Sequence, residues 1–298
     1  MSVINSGATG RIFEGLPLQD RGHGRGIAEI GYAVSDGKTR LAHLHQRHPL
    51  RVLFPASQAA DVPVAVLVTT SGGLVAGDGI AIGVAVGARA AAHVTASAAE
   101  KVYRSTGATT VIDQTLLVAA GGWLEYLPPE TIVFDGARLR RHTRLSLAAS
   151  GGALVGGIIV FGRRARGEAF THGLLHERWE VYRDGRLVWG DALHLDGDIA
   201  ATMADPACFD NAAACATLIL VLPVGREPRS FVDEARAVQQ KTTVDGLRAG
   251  VTVVGGLLVA RWLAVDALPL RRAYADLACH LRHAAIGLPP RLPRLWHV

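Results

Sequence analysis

Residues 177–189 read ERWEVYRDGRLVW and carry the clearest fold signal in the chain. Two strand-like runs, Glu177 to Tyr182 and Leu187 to Trp189, flank the dipeptide Asp184-Gly185. Both residues of an Asp-Gly pair tolerate the positive φ angles of a type I′ turn, the tight turn that joins antiparallel strands. This stretch therefore predicts a β-hairpin.

The same kind of pattern extends toward the N-terminus. From Gly31 to Asp191, short apolar or alternating stretches are separated by glycine and aspartate, which is typical of many strands joined by tight turns. Besides the hairpin, the predicted strands are Thr39 to Leu44, Leu50 to Phe54, Val64 to Thr69, Ile80 to Val86, His93 to Ala96, Thr110 to Val118, Trp123 to Tyr126, Arg138 to Leu147 and Ala153 to Val160. Almost no helix separates them, which excludes a βαβ architecture, and the sequence shows no repeat of fixed period.

The C-terminal third is predicted to contain two strand-like segments and two helices. Ala216 to Leu222 and Val251 to Arg261 are strand-like. Ser230 to Lys241 begins with a capping serine and has apolar residues at helical spacing, so it predicts one helix. A second helix is predicted from about Leu268 to Ala285, because Gly287 follows as a stop signal.

The composition predicts one folded domain. Of the 298 residues, 49% are hydrophobic and 19% are charged, so the chain has enough apolar surface to close a core. The glycine-rich segment around Gly22, Gly24 and Gly26 predicts a flexible lead-in over residues 1–30. We predict a single β-rich domain over residues 31–298.

Cysteine usage and hydropathy predict a cytoplasmic protein. Cys208, Cys215 and Cys279 contain no Cys-x-x-Cys pair, which argues against a disulfide framework and against a thiolate zinc site. The N-terminus lacks a basic segment followed by an apolar one, and the apolar runs are too short to cross a bilayer. We therefore expect a protein that is neither secreted nor membrane-spanning.

The net charge of +5 comes largely from arginines, which cluster at residues 138–144 and 163–166. A basic balance predicts attraction to acidic partners or to nucleic acid. Aromatic residues do not alternate with these arginines, and no nucleic-acid-binding motif is present. The sequence therefore favours an acidic protein surface as the partner, and no nucleic acid.

Two apparent ligand-binding motifs do not withstand inspection. Residues 71–78, SGGLVAGD, follow an apolar strand but lead into another strand-like run rather than into Gly-Lys-Ser/Thr and a helix, so they do not predict a phosphate loop. His43 and His45 would project from one face of a strand, and imidazole suits nickel. Because Arg47 would repel a cation there, we interpret them as surface histidines.

Glu125, Glu130 and Asp135 raise the possibility of a glycoside hydrolase, since that chemistry needs two carboxylates with different protonation states. Pro128-Pro129 separates the first two, so nothing in the sequence places them on one face of a strand. A β-rich glycoside hydrolase that uses two of these three carboxylates is the alternative function.

Four sequence blocks, taken in order, resemble one known family. They are Ser71–Asp78, Ala98–Ser105, Trp123–Ile132 and Gly162–Glu168, and their order and spacing resemble the UreD (UreH) family of urease accessory proteins. The resemblance extends from Pro49 to Asp191 and resumes at Pro293 to Trp296. It implies a mainly β fold, an irregular β-helix-like stack of many short strands with a pair of helices in the C-terminal third.

The resemblance implies a non-enzymatic chaperone subunit. Such a subunit binds a UreF-type protein, which recruits a UreG-type GTPase, and this multi-subunit complex docks on apo-urease to install nickel. No cofactor is expected to bind tightly, because nickel would be in transit. A third hypothesis is a β scaffold that only positions its partners on urease.

The resemblance also implies site residues. Asp78, Glu100, Glu125 and Glu130 are candidates for an internal nickel path, although Asp78 and the other carboxylates could equally cap turns. Structural or partner-binding roles are expected for the remaining motif residues, which are Gly73, Gly77, Lys101, Tyr103, Arg104, Arg163 and Glu168. Of these, Arg163 and Glu168 are predicted to form an internal ion pair.

Two positions depart from the family pattern in ways that bear on the path. Gly157 stands where a glutamate is expected upstream of the Gly-Arg block, and Glu100 replaces a usual threonine. If that glutamate carries metal in relatives, this chain must place the ligand elsewhere, for example at Glu100.

Overall fold

The computed structural model describes residues 25–56 and 58–297. The described residues form seventeen strands: β1 (Arg25–Ser35), β2 (Lys38–Arg47), β3 (Leu50–Leu53), β4 (Val64–Thr69), β5 (Gly79–Val86), β6 (Ala91–Ala96), β7 (Glu100–Val102), β8 (Thr110–Val118), β9 (Trp123–Tyr126), β10 (Thr131–Val133), β11 (Arg138–Leu147), β12 (Gly152–Phe161), β13 (Leu174–Arg183), β14 (Arg186–Asp196), β15 (Ala214–Val221), β16 (Leu247–Val254) and β17 (Leu257–Ala264). They also form three α-helices: α1 (Ile199–Ala204), α2 (Val232–Lys241) and α3 (Ala267–Ile286).

These strands make two sheets. Sheet A has the order β14-β13-β11-β8-β5-β1-β2, and sheet B has the order β16-β17-β15-β12-β9-β6-β4-β3. The short strands β7 and β10 pair with each other, and β10 also pairs with β12 in sheet B. One hydrophobic core draws residues from both sheets, for example Ile30 from sheet A and Val155 from sheet B, so the two sheets pack face to face.

Between β4 and β13 the chain winds as a solenoid. Successive strands pass back and forth between the sheets, and neighbours within each sheet are parallel: β5, β8, β11 and β13 in sheet A, and β4, β6, β9 and β12 in sheet B. The result is a solenoid-like stack of about four turns, which confirms the mainly β, β-helix-like fold.

Contacts between successive turns recur at nearly constant sequence separation. The Tyr103 hydroxyl donates a hydrogen bond to the Gly72 carbonyl, 31 residues earlier. His93 and Glu125, which are hydrogen-bonded, are 32 residues apart. The stack thus has a period that the sequence does not show, because stacking requires matching backbone paths and not matching side chains.

The predicted hairpin is confirmed, and a second one corrects a strand prediction. Asp184 and Gly185 have φ angles of 46° and 77° and join β13 to β14. The segment Val251 to Arg261, interpreted as one strand-like run, is divided between β16 and β17 by Gly255-Gly256, with φ angles of 58° and 76°. Two glycines in the left-handed region allow the tight turn that the apolar pattern had concealed.

Regular structure begins earlier than Gly31. Strand β1 starts at Arg25, pairs in parallel with β5, and buries Ala28 and Ile30 completely. The glycine-rich composition suggested a flexible lead-in, but pairing between distant strands overrides local composition. The rest of the predicted lead-in, residues 1–24, lies outside the described residues.

Helices α2 and α3 agree with the two predicted helices, apart from the start of α2. Ser230 does not cap that helix, because it lies in a 3₁₀ turn, Pro228–Phe231, where its hydroxyl donates to the Glu227 carbonyl. The helix proper begins at Val232. At the other end of the C-terminal region, Gly287 closes α3 in the left-handed conformation, as predicted.

Helix α3 packs on the outer face of sheet B. Its apolar residues Leu270, Tyr274, Leu277 and Leu281 recur at helical spacing and join a second hydrophobic core with sheet B. Sheet B is therefore buried on both sides. Among the described residues, no helix has the length and apolar character needed to span a membrane.

Candidate functional site

The stack brings the first two sequence blocks into contact. The Leu74 amide donates to the Lys101 carbonyl at 2.7 Å, and the Tyr103 amide donates to the Leu74 carbonyl at 2.9 Å. Gly73 has a φ of 147°, and a Cβ atom there would lie 2.5 Å from Tyr103 Cε2. The glycine block therefore serves as the surface on which the Lys101–Arg104 block packs.

Replacing Gly73 with alanine tests this packing. The new methyl group would also lie 2.9 Å from the Lys101 carbonyl oxygen, which is backbone and cannot rotate away. We expect Gly73→Ala to lower the free energy of unfolding by roughly 1–3 kcal/mol, measured by chemical denaturation. Gly72→Ala is the control, because Gly72 also has a positive φ but nothing lies within 4 Å of its would-be Cβ atom. Equal losses in both variants would contradict this packing.

The fourth block continues the same edge of the stack, through Phe134, which lies just after the third block. The rings of Tyr103 and Phe134 meet edge to face with centroids 4.8 Å apart. The Arg163 guanidinium lies 4.2 Å from the Phe134 centroid, and its Nη2 donates to Glu168 at 2.5 Å. The predicted Arg163–Glu168 pair forms, but it is not internal: the side chain of Arg163 is 45% exposed. Its guanidinium covers an aromatic ring on the surface instead of entering the core.

The other motif residues lie on this edge too. Gly77 has a φ of 83° in the turn before β5, and Lys101 is exposed. Arg104 is also exposed, with Nη2 3.7 Å from the carboxylate of Asp135. The exposed side chains of Lys101 and Arg104 are therefore accessible to a partner protein.

Asp78 caps its own turn. Its Oδ2 accepts a hydrogen bond from the Val75 amide at 2.8 Å, while the Asp78 amide donates to the Val75 carbonyl. The side chain is half-buried. This is the capping alternative that the sequence left open, and it uses one of the two carboxylate oxygens.

Glu100 lines a cavity between the sheets. This Glu100 cavity has a volume of about 180 Å³, and its lining includes Gly73, Gln114, Tyr126 and Arg141. Burial raises the pKa of Glu100, although a hydrogen bond from the Thr69 hydroxyl opposes the rise. Among the candidates for a nickel path, Glu100 is thus one whose side chain lines an internal cavity.

Glu125 is enclosed by hydrogen-bond donors. His93 Nδ1 lies 2.7 Å from Oε2, and Arg282 donates from Nη2 to Oε2 at 3.0 Å and from Nε to Oε1 at 3.0 Å. The same guanidinium donates to Asp61 at 2.6 Å. Burial favours the neutral acid, but His93 and Arg282 outweigh it and lower the pKa of Glu125. This buried network ties α3 to sheet B.

Glu130, like Glu125, contacts α3, the helix on the outer face of sheet B. Its Oε1 accepts a hydrogen bond from Arg271 of α3 at 3.4 Å, and its backbone carbonyl accepts one from the Glu100 amide at 2.9 Å. Its Oε2 is buried without a hydrogen-bond partner among the described residues. Among the described residues, Glu130 therefore has one carboxylate oxygen without a hydrogen-bond partner, and its backbone is hydrogen-bonded to that of Glu100.

Asp135 supports a neighbouring loop. Its Oδ1 accepts hydrogen bonds from the Thr171 amide at 2.7 Å and the Thr171 hydroxyl at 2.8 Å. Burial raises the pKa of Asp135, but these bonds and the nearby His172 outweigh it, so its pKa is lowered. With Glu125 enclosed and Asp135 engaged in the loop, the structure does not favour the glycoside hydrolase alternative.

A buried ion pair between the sheets was not predicted. Arg141 Nε donates to Glu177 Oε2 at 2.6 Å, and Arg141 Nη1 donates to the Thr131 hydroxyl at 2.7 Å. Burial raises the pKa of Glu177, and Arg141 opposes the rise. The alternation along β11 held the signal, since residue 141 must face opposite to Arg140 and Arg144.

Gly157 lies across from this pair. A Cβ atom on Gly157 would lie 4.0 Å from both Arg141 Nη2 and Trp179 Cζ2, so the backbone leaves open space there. A Gly157 cavity of about 50 Å³ fills this space, with Arg141, Glu177 and Cys215 in its lining. Because glycine replaces the expected glutamate at residue 157 of sheet B, a gap remains beside Arg141. Glu177 in sheet A contributes a carboxylate to the lining of this gap.

Shared lining residues show that three cavities adjoin one another. Arg141 lines both the Glu100 cavity and the Gly157 cavity. A third cavity of about 400 Å³, the Arg261 cavity, shares Asp191, Cys215 and Thr217 with the Gly157 cavity. Together they follow the space between the sheets from the glycine block to the β14 and β17 end of the molecule, and we call this series the passage.

No tight metal cage is present in the part of the chain that the structure describes, since no group of three or more His, Cys, Asp or Glu side chains is placed to hold an ion. His43 is hydrogen-bonded to Glu29 at 3.1 Å on the surface of sheet A. Cys215 is buried, which raises its pKa to about 12 and keeps it a neutral thiol. The passage therefore offers scattered ligands.

Comparisons with known proteins agree with the resemblance of the four blocks. Residues 24–297 match the UreD urease accessory protein family. Urease accessory protein UreD of Magnetococcus marinus is 40% identical over 276 residues, covering 92% of this chain and 94% of that protein. Urease accessory protein UreD 2 of Methylorubrum populi is 39% identical over 284 residues, covering 94% and 92%. UreD of Rhodopseudomonas palustris strain HaA2 is 38% identical over 293 residues, covering 98% and 97%. The chain belongs to the UreD family of urease accessory proteins.

Proposed function

We propose that this chain is a non-enzymatic chaperone subunit that works in the cytoplasm with a UreF-type protein and a UreG-type GTPase to install nickel in apo-urease. Membership in a family named for urease maturation supports the role. The exposed motif residues at one edge of the stack, among them Lys101, Arg104 and Arg163, provide a surface for partners.

We further propose that nickel travels through the passage. Glu100 lies at one end, Glu177 lies in the middle, and Asp191 lies where the Gly157 cavity adjoins the Arg261 cavity, so carboxylates occur at several points along the passage. Between them the lining is mixed: among apolar side chains, Gln114 donates to the Tyr126 hydroxyl at 2.7 Å. Single carboxylates, hydroxyls and water suit transit, because a closed set of four good ligands would retain the ion.

Charge balance in the passage also fits transit. Arg141 would repel a bare divalent cation, but Glu177 pairs with it, and Arg261 near the far end pairs with Asp191 at 2.9 Å. Glu177 and Asp191 can bind nickel only by giving up an arginine partner. The ion is therefore held weakly at each step, and binding to the isolated chain should be weak.

Two other functions have less support. A glycoside hydrolase needs two free carboxylates in one cleft, and Glu125 and Asp135 are already engaged in hydrogen bonds. A scaffold that only positions partners would not need carboxylates in the lining of the space between its sheets. Glu100→Gln separates this last hypothesis from ours, because it removes a charge from the passage and leaves the exposed edge unchanged.

The experiment that tests the proposed function is genetic. In cells that express the cognate urease and accessory genes, we expect deletion of this chain to abolish urease activity while urease protein remains at its normal level. Expression of the chain from a plasmid should restore activity. Full urease activity in the deletion strain would refute the role in maturation.

A further inference from the structure

The outer face of sheet A carries a concentration of basic side chains that the passage and the four blocks do not use. Alternation along β11 directs Arg140 and Arg144 outward while Arg141 is buried. Strand β13 adds the exposed Arg178, and β14 adds the exposed His194. We call the set the basic face; its members are Arg138, Arg140, His142, Arg144, His176, Arg178 and His194.

Strand pairing places these side chains side by side. Arg140 pairs with His176, which pairs with His194, so three basic residues form one row across β11, β13 and β14. His142 and Arg178 begin the next row. Because neighbouring strands are about 4.8 Å apart, and residues of one face repeat about every 6.8 Å along a strand, each basic residue has another within roughly 7 Å.

Glu180 fixes two of the guanidinium groups. This carboxylate is 4% exposed, and it accepts hydrogen bonds from Arg178 Nη2 and, at 3.2 Å, from Arg144 Nη2. His142 Nε2 lies 3.0 Å from it. Burial raises its pKa, but these partners outweigh burial and lower it, so Glu180 is ionised at neutral pH. Each arginine has five N–H donors, so most remain free while the side chains are already ordered.

Charge on this face remains positive after its acids are counted. Besides Glu180, the acidic neighbours are Asp113, which pairs with His142 across β8 and β11, and Asp196, which is two residues beyond His194 on the same face of β14. The four arginines of the basic face outnumber these three carboxylates. Burial and the nearby basic groups lower the pKa of His176, so this imidazole adds no charge at neutral pH.

We propose that the basic face docks an acidic surface of a partner protein. Ordered guanidinium groups match carboxylates in a planar, two-point geometry, and the charges are complementary. Nucleic acid fits less well, because the ring of Tyr182 on this face is covered by Arg144, whose Cζ lies 5.3 Å from the ring centroid, and is closed to base stacking. The proposal rests on the proposed function only in taking apo-urease as the first partner to test.

Binding to poly-L-glutamate, to duplex DNA and to cognate apo-urease tests the proposal. The variants are Arg140→Glu and Arg178→Gln, both at exposed positions, and the double variant. The controls are Arg229→Glu and Arg229→Gln, since Arg229 is exposed in the 3₁₀ turn before α2, away from sheet A. Unchanged thermal unfolding of every variant would show that they are folded.

We expect the wild type to bind poly-L-glutamate in preference to DNA, and the double variant to bind it about tenfold more weakly, with the Arg229 variants unchanged. Binding should weaken as salt rises. Absence of binding, equal loss in the Arg229 variants, or preference for DNA would overturn the proposal. If apo-urease shows the same losses, it is the partner. If apo-urease binds every variant equally while poly-L-glutamate does not, apo-urease uses another surface, and the role in urease maturation stands.

Discussion

A bulky side chain at residue 157 is expected to abolish urease activation without disrupting the protein. Gly157→Leu would fill the cavity of about 50 Å³ that joins the two larger cavities, next to the Arg141–Glu177 pair. If nickel passes between the sheets, it must cross this point. We expect urease activity in complemented deletion cells to fall to the level of cells without the chain.

Gly157→Ala is the matched control for this prediction. A single methyl group at residue 157 meets nothing closer than 4.0 Å, so it should leave the passage open and activation near the wild-type level. Co-purification with the UreF-type partner should be unchanged in both variants. Gly157→Leu should still unfold in a single thermal transition, at a somewhat lower midpoint because the leucine side chain is larger than the cavity, and Gly157→Ala should unfold like the wild type. Normal activation by a folded Gly157→Leu variant would show that nickel does not take this route.

Loss of the Arg282 guanidinium is expected to have the largest effect on stability. Arg282→Met would leave Glu125 and Asp61 without the cation that joins them inside the protein. Breaking a buried pair by removing one partner costs about 3–5 kcal/mol, because an uncompensated charge remains. We expect the midpoint of thermal unfolding to fall by roughly 6–20 °C. Arg272→Met, at an exposed position of the same helix, should leave it nearly unchanged.

The pH dependence provides a second check on this network. In the wild type the pKa of Glu125 is lowered below its ordinary value of 4.5, so its contribution is present above that pH and is lost as pH falls through the lower folded value. In Arg282→Met, burial without the guanidinium would raise the pKa of Glu125. The difference in unfolding free energy between the two proteins should therefore be largest at neutral pH and shrink toward pH 4. A difference that does not depend on pH would mean that lost packing, and not charge, causes the effect.

The turns were the part of the fold that local sequence could predict. Asp184-Gly185 predicted its hairpin because the positive φ angles of a type I′ turn are a local requirement. Asp36-Gly37 joins β1 to β2 with φ angles of 51° and 70°, so the same signal was present there and would have revealed β1. The β-helix-like stacking came from the family resemblance, since parallel pairing between strands about 31 residues apart leaves no local pattern.

The candidate site was predicted less completely, for a physical reason. The acidic candidates were chosen by motif, and motif membership does not distinguish a carboxylate in a cavity, such as Glu100, from one enclosed by donors, such as Glu125. The enclosing groups lie far away in sequence: Arg282 is 157 residues from Glu125. Glu177 and Arg141 were missed because their pairing depends on which face of its sheet each residue occupies.

A thiol placed in the middle of the passage tests the central claim most directly. Gly157→Cys would add a sulfur to the cavity that Cys215 already lines, and the two thiols with Glu177 would form a stronger nickel site than any in the native passage. Under reducing conditions, and with nickel supplied through the partner complex, we expect this variant to retain nickel, with a thiolate-to-nickel charge-transfer absorption, and to leave urease inactive. Normal urease activation by Gly157→Cys, with no nickel retained in the chain, would contradict passage of the metal between the two sheets.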